Sequence, residues 1–282
     1  MPLSALLFLP LALQAGNAQP LPQAPLEIHR KRKPADPAVR PPIRLASKLD
    51  QCLSQAKDDP ATAEDLARAW LGAAKGSGRA EPGHCLGVAL SGQEQWGDAA
   101  EAFMAARGDT PASERGNQAR LAAMAGNAWL AQGKPDAALT ALDTAHGDAL
   151  GANDPHLAAT LSIDRARALV MLKREGDAAA ALAEARSGAA QDPQAWLLSA
   201  TLSRRQGQLD AAQQQIQQAA TLAPLDPEVG LEAGVIAALG GRDAAARQSF
   251  SSVIKAAPGS DHARTAQLYL DQLGAAPAQP PR

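Results

Sequence analysis

Two stretches 34 residues apart carry the same sparse pattern. Residues 207–224 read GQLDAAQQQIQQAATLAP and residues 241–258 read GRDAAARQSFSSVIKAAP. Gly falls on Gly, Ala212 on Ala246, Ile216 on Phe250 and Pro224 on Pro258. The run before each Gly, QAWLLSATLSRRQ or EVGLEAGVIAALG, is itself helical in pattern. Each unit therefore reads as a helix, a Gly turn, a second helix and a Pro stop. A period of this length constrains the fold strongly. One helix pair cannot bury its apolar face alone, but a stack of pairs can. The helix over 209–222 shows why stacking is required. It is mostly Ala and Gln, with Leu209 and Ile216 as its large apolar residues before the last turn. Such a helix cannot hold a globular core. Ala212 and Ala219 can let neighbouring helices approach closely while Leu209 and Ile216 fill the gaps. Aromatic residues make up only 3% of the chain, so Ala does the filling throughout.

A unit with these markers resembles the tetratricopeptide repeat. In the unit from Pro193, Trp196 takes the early bulky place of the first helix (A), Gly207 the turn, Ala212 and Ile216 the places of the second helix (B), and Pro224 the end. In the unit from Pro227 the matching residues are Gly234, Gly241, Ala246, Phe250 and Pro258. Upstream, Leu86-Gly87, Leu90, Trp96, Ala99, Phe103, Ala106 and Pro111 fit the template. Gly126, Trp129, Gly133, Ala138, Leu142 and Ala145 fit it without a closing Pro. The unit over 155–192 is looser: Gly176 reads as its turn, and small residues then occupy the bulky places. Asp154-Pro155 marks a helix start there, so its first helix is expected to be extended.

Repeats are thus expected at about 80–113, 119–152, 155–192, 193–226 and 227–260. A helix pair over 45–79, turning at Asp58-Asp59-Pro60, caps the front. The stretch KGSGRAEPG reads as a connector behind it. The amphipathic helix over 261–273, with Leu268, Leu270 and Leu273 apolar, closes the back, and 274–282 reads as a disordered tail. The resemblance implies an all-α, right-handed solenoid whose A helices line a concave face.

The first residues suggest export. Leu3 to Leu13 form an apolar run too short to span a bilayer, and Gly16-Asn17-Ala18 fits the small-x-small pattern before a signal peptidase cut between Ala18 and Gln19. The n-region lacks Lys and Arg, and the alternative is a frayed apolar tail. Residues 19–44 are Pro-rich and extended, a linker with six basic and two acidic side chains. That arm carries +4, which leaves -6 on the remainder of a chain whose net charge is -2. Its HRKRKP run either touches acidic surfaces or phosphates or is simply solvated. The acidic balance of the body is not that of a nucleic-acid binder. In an exported chain the two cysteines, Cys52 and Cys85, suggest one disulfide; the alternative is two buried thiols. The resemblance puts them on successive A helices, so their backbones should be neighbours.

No catalytic pattern is present: there is no G-x-S-x-G elbow, H-E-x-x-H, C-x-x-C or phosphate loop, and the five His are scattered. Neither a metal nor a cofactor is expected, nor a transmembrane span in the mature chain. The family's inward-facing helix A places carry over to Arg120 and Asn127, then Arg167, Lys173 and Arg174. They continue with Leu197, Leu198, Arg204 and Arg205, and end at Leu231 and Val235. Asn127 with nearby basic residues resembles in part the family's clamp for a peptide C-terminal carboxylate. These charges are either a reader of acidic peptides or a solvated face. As exposed groups, Arg204 and Arg205 should add little to stability. The expected function is a non-enzymatic protein-binding scaffold of the periplasm or cell envelope. The alternative is an accessory to envelope polysaccharide or peptidoglycan assembly, for which Trp196 is the groove-side aromatic.

Overall fold

The computed structural model describes residues 46–274. The expected leader with its Ala18–Gln19 junction, the basic stretch over 19–44 and the residues beyond Gly274 lie outside the described residues. Thirteen α-helices follow one another with no strand among the described residues. They are α1 (Lys48–Asp58), α2 (Pro60–Ala73), α3 (Ala80–Gly92), α4 (Trp96–Asp109), α5 (Arg115–Ala131), α6 (Pro135–Gly151) and α7 (Pro155–Met171). The remainder are α8 (Glu175–Gly188), α9 (Pro193–Arg205), α10 (Leu209–Leu222), α11 (Pro227–Leu239), α12 (Asp243–Ala256) and α13 (Asp261–Gln272). Each helix packs on the next. The odd-numbered A helices also touch in sequence at α1/α3, α5/α7, α7/α9, α9/α11 and α11/α13. This is the stacked solenoid that the period predicts.

Local chemistry starts these helices. Asp59, Asp154, Asp192 and Asp226 each accept a backbone N–H at the start of α2, α7, α9 and α11. A Pro follows each of them at the first helical position, where its missing N–H is no loss. Ser47 and Asp50 form a reciprocal capping box on α1.

A left-handed residue follows each of the A helices α3, α5, α7, α9 and α11 and fixes the register of its unit. These are Glu94, Gly133, Lys173, Gly207 and Gly241, with φ between 59° and 75°. Five positions later stand Ala99, Ala138, Ala178, Ala212 and Ala246, every one at 0% exposure. Nine positions later stand the buried Phe103, Leu142, Leu182, Ile216 and Phe250. Seven positions earlier stand Gly87, Gly126, Ala166, Ala200 and Gly234. The bulky B side chain lies against this small A residue. A Cβ added at Gly234 would sit 2.3 Å from the Phe250 ring, and one at Gly87 would sit 2.5 Å from Phe103. Helix approach is therefore set by pairing one small residue with one large one.

The third unit is regular, contrary to its reading from sequence. Its turn is at Lys173, not Gly176, which lies inside α8. The register starts three residues earlier, and Leu182 then fills the bulky place at 1% exposure. Gly176 misleads because Lys173 adopts a conformation that usually selects Gly. The connector after α2 is also more ordered than expected. Gly76–Arg79 form a 3-10 turn that runs into α3, where Pro82 and Gly83 are buried. The spacing of the turns exceeds 34 upstream because α5, α6 and α7 each have 17 residues, against 13 or 14 in α8 to α12.

Candidate functional site

On the A-helix face α7 and α9 flank an apolar cleft of about 190 Å³. Val170 and Met171 of α7, Leu182 of α8, and Leu198 and Leu202 of α9 line it, with Arg167 and Arg205 at its edge. Met171 is 48% exposed. Arg167, Leu198 and Arg205 are thus brought together. Asn127 joins them indirectly. Its Nδ2 donates to Asp164 Oδ2 at 3.0 Å, and Arg167 donates to Asp164 Oδ1 at 2.5 Å and to Gln194 Oε1 at 3.1 Å. A polar ladder therefore crosses from α5 over α7 to α9. Arg205 is the less engaged cation: Glu175 lies 3.7 Å away, and the Arg205 side chain is 48% exposed.

Other residues expected in the groove stand elsewhere. Leu197 is buried in the core with Ala200 and Ile216, because it faces α10 rather than the cleft. Arg204 points towards α11, where Nε and Nη2 donate to the Glu232 carboxylate at 2.6 and 3.3 Å. That pair is mostly buried, so Arg204 is part of the stack and not a free groove charge. Lys173 is the turn residue. Arg174 follows it at the start of α8, pairs with Asp177, and borders a different cleft with Asp143, Arg165 and Glu184. Arg120 is exposed on the wall of a cleft of about 540 Å³ formed by α1, α3 and α5, with Leu49, Glu81, His84, Glu114 and Met124. Leu231 and Val235 are half-buried against the packing of α11 on α12 and α13. Trp196 is not a groove platform. Its Nε1 donates to the Ala190 carbonyl at 2.9 Å, and the Arg186 guanidinium lies 5.7 Å from its ring centroid.

The sequence reading missed Asp164, Val170, Met171 and Leu202. Asp164 was detectable as an acid three residues before Arg167 on a helix, a spacing that lets the two side chains meet.

The opposite side carries a second polar cluster. Glu184 of α8 takes His146 Nε2 of α6 at 2.7 Å on one oxygen and the hydroxyl of Ser162 of α7 at 2.8 Å on the other. Arg165 lies 3.6 Å from Glu184 and donates to Asp143 at 2.8 Å. Burial pushes the Glu184 carboxyl up, but the hydrogen bonds from His146 and Ser162 and the nearby charges of His146 and Arg165 hold it below its ordinary value. Ser162 is buried and bonds to the acid instead of the imidazole, which is not the order of a nucleophile and its base. Burial also lowers the pKa of His84 in the cleft beside α1. Among the described residues no His, Cys, Asp and Glu group is arranged to hold a metal ion. Within the same residues no helix is long and apolar enough to cross a membrane. Cys52 of α1 and Cys85 of α3 are joined in a disulfide, with Cα atoms 6.0 Å apart.

No protein-family model matches the chain, and no curated protein matches it in sequence. The fold does have solved counterparts. PilW, a widely conserved type IV pilus biogenesis factor, is 18% identical with a TM-score of 0.62, over 78% of this chain and 98% of that one. PilF of Pseudomonas aeruginosa is 17% identical with a TM-score of 0.60, over 78% of this chain and 97% of that one. BtubC (BKLC) of P. vanneervenii is 14% identical with a TM-score of 0.55, over 84% and 96%. At these identities the likeness establishes architecture: the chain has a tetratricopeptide-like solenoid fold.

Proposed function

We propose that this protein is a non-enzymatic interaction scaffold of the periplasm or cell envelope that holds a segment of a partner protein on its A-helix face. The observation that carries the proposal is the α7/α9 cleft. It is nearly all apolar inside, has room for one large apolar side chain, and has Arg167 and Arg205 at its edge. A segment with an apolar anchor flanked by a carboxylate fits that arrangement. The likeness to PilW, a pilus biogenesis factor, supports an envelope setting. So does the Cys52–Cys85 disulfide, since such bonds persist in oxidising compartments.

The test is affinity capture from an envelope extract with the wild-type chain and with Met171→Asp. That substitution places a charge in the cleft at a half-exposed position, where the fold tolerates it. A protein enriched by the wild type and lost with Met171→Asp is the expected result. Retention of a glycan with no enriched protein would reverse the proposal in favour of a polymer-binding accessory. Equal capture by both chains would move the binding site away from this cleft.

A further inference from the structure

The B helices are joined across their gaps by a repeated contact between a basic side chain and a carboxylate, and one junction lacks its acid. Thirteen positions after the left-handed residue of a unit stand Arg107 in α4, His146 in α6 and Arg186 in α8. Arg107 reaches forward to Asp148 of α6, with Nε and Nη2 at 2.7 and 3.0 Å from the carboxylate. His146 reaches forward to Glu184 of α8 at 2.7 Å. Arg186 occupies the same place at the α8–α10 junction and meets no carboxylate among the described residues. The positions of α10 equivalent to Glu184 and Asp148 are Gln218 and Leu222. The Ala/Gln character of α10 thus has a consequence outside the core, because it removes the acid that completes the two preceding junctions.

Arg186 is nevertheless held in place. Its Nη1 donates to the buried Ser199 hydroxyl at 2.5 Å, and its guanidinium lies over the Trp196 ring. It is half-buried and its remaining donors have no partner among the described residues. Burial, with no carboxylate to offset it, pushes its pKa below the ordinary guanidinium value. A partly desolvated cation with free donors, fixed against an aromatic ring, has the composition of an interface hot spot.

We infer that the B-helix face at the α8–α10 junction is a second interaction surface, where an Asp or Glu side chain of a partner protein takes the place of the missing acid on Arg186. Of the cations expected in the groove from sequence, Arg167 already has Asp164, and Arg204, which packs in the stack, already has Glu232. This surface does not depend on the α7/α9 cleft.

The experiment uses the full chain and a fluorescently labelled synthetic peptide in which Glu alternates with Ser, which offers the α7/α9 cleft no apolar anchor, measured by anisotropy against the same peptide with Gln for Glu. Saturable binding of the Glu peptide is expected, and Arg186→Gln should weaken it about tenfold, as expected for loss of a charge-assisted hydrogen bond. Gln218→Glu should weaken it comparably by supplying the carboxylate from within the chain, and should raise the unfolding temperature. An Arg167→Gln/Arg205→Gln variant should bind normally. The inference falls if the Glu peptide shows no saturable binding, or if Arg186→Gln and Gln218→Glu both leave binding unchanged. It falls also if only the Arg167/Arg205 variant loses binding, which would assign the peptide to the α7/α9 cleft. Displacement by inorganic phosphate at comparable affinity would mark a simple anion site and overturn the assignment to a protein partner.

Discussion

Exchanging the roles of Lys173 and Gly176 tests the register of the third unit directly. Lys173 has φ 59°, in the left-handed region. For a residue with a Cβ this conformation costs about 1–2 kcal/mol, while a Gly there loses about 0.5–1 kcal/mol of extra chain entropy on folding. Lys173→Gly should therefore stabilise by up to roughly 1 kcal/mol. Gly176 lies in the first turn of α8, and nothing stands within 4 Å of a Cβ built on it. Gly176→Ala should stabilise by about 0.4–1 kcal/mol through the unfolded state. The two changes touch different atoms, so the double variant should gain roughly the sum. For a folded body the length of residues 46–274 that corresponds to about 2–4 °C of unfolding temperature per kcal/mol. Thermal unfolding gives the sign, and amide exchange in α7 and α8 localises it. If the turn were at Gly176, both signs would reverse. Ala would be forced into the left-handed region, and Gly at 173 would sit inside a helix. Destabilisation by either single variant would refute the assigned register.

Gly234→Ala should destabilise by about 1–3 kcal/mol in urea titration, because its Cβ would meet a Phe250 ring that is 1% exposed and backed by Tyr269. In a Phe250→Ala background that penalty should vanish; persistence there would contradict the clash. Arg204→Ala should cost about 1–3 kcal/mol by leaving Glu232 without its partner, while Arg205→Ala should stay within about 0.5 kcal/mol by the same assay. This departs from the expectation that both are idle surface charges. Cutting the Cys52–Cys85 bond, which closes a loop over a separation of 33 residues, should destabilise the α1–α3 end by about 3–4 kcal/mol in the chain-entropy picture. Amide exchange there, with and without reductant, measures it, and two thiols reactive in the unfolded, unreduced chain would show that no bond had formed. Acid should weaken the fold in two stages. His84 is held neutral below its ordinary 6.5, so stability falls as pH drops below 6.5 and the unfolded chain alone takes up the proton. Glu184 is held below its ordinary 4.5, so a second loss begins below about that pH. Urea midpoints against pH should lose the upper limb in His84→Phe and show a shallower lower limb in Glu184→Gln, the rest of which belongs to Asp59 and Glu64, also held below their ordinary values by hydrogen bonds.

The architecture was legible in the sequence because it depends on features repeated locally. A small residue, a left-handed turn, an Ala and a bulky residue recur at set distances within each unit, and Asp-Pro pairs start helices using groups only a few residues apart. The Gly-marked turns at Gly133, Gly207 and Gly241 could be read in this way. The turn at Lys173 could not, since it depends on a conformation that residue type does not advertise. Which side chains reach the A-helix face was decided by tertiary structure. Leu197 and Leu198 are neighbours in sequence, yet one fills the core and the other lines the cleft, because a helix turns about 100° per residue and its rotation is set by both helices packed against it. The charges followed the same rule. Arg204 finds Glu232, Arg107 finds Asp148, and Arg186 finds no acid among the described residues, each outcome depending on what the next helix in the stack presents. Helix positions follow from short-range chemistry that one unit contains, whereas the partner of a long charged side chain is fixed only when successive units stack and bring residues about 28 to 41 positions apart within hydrogen-bonding distance.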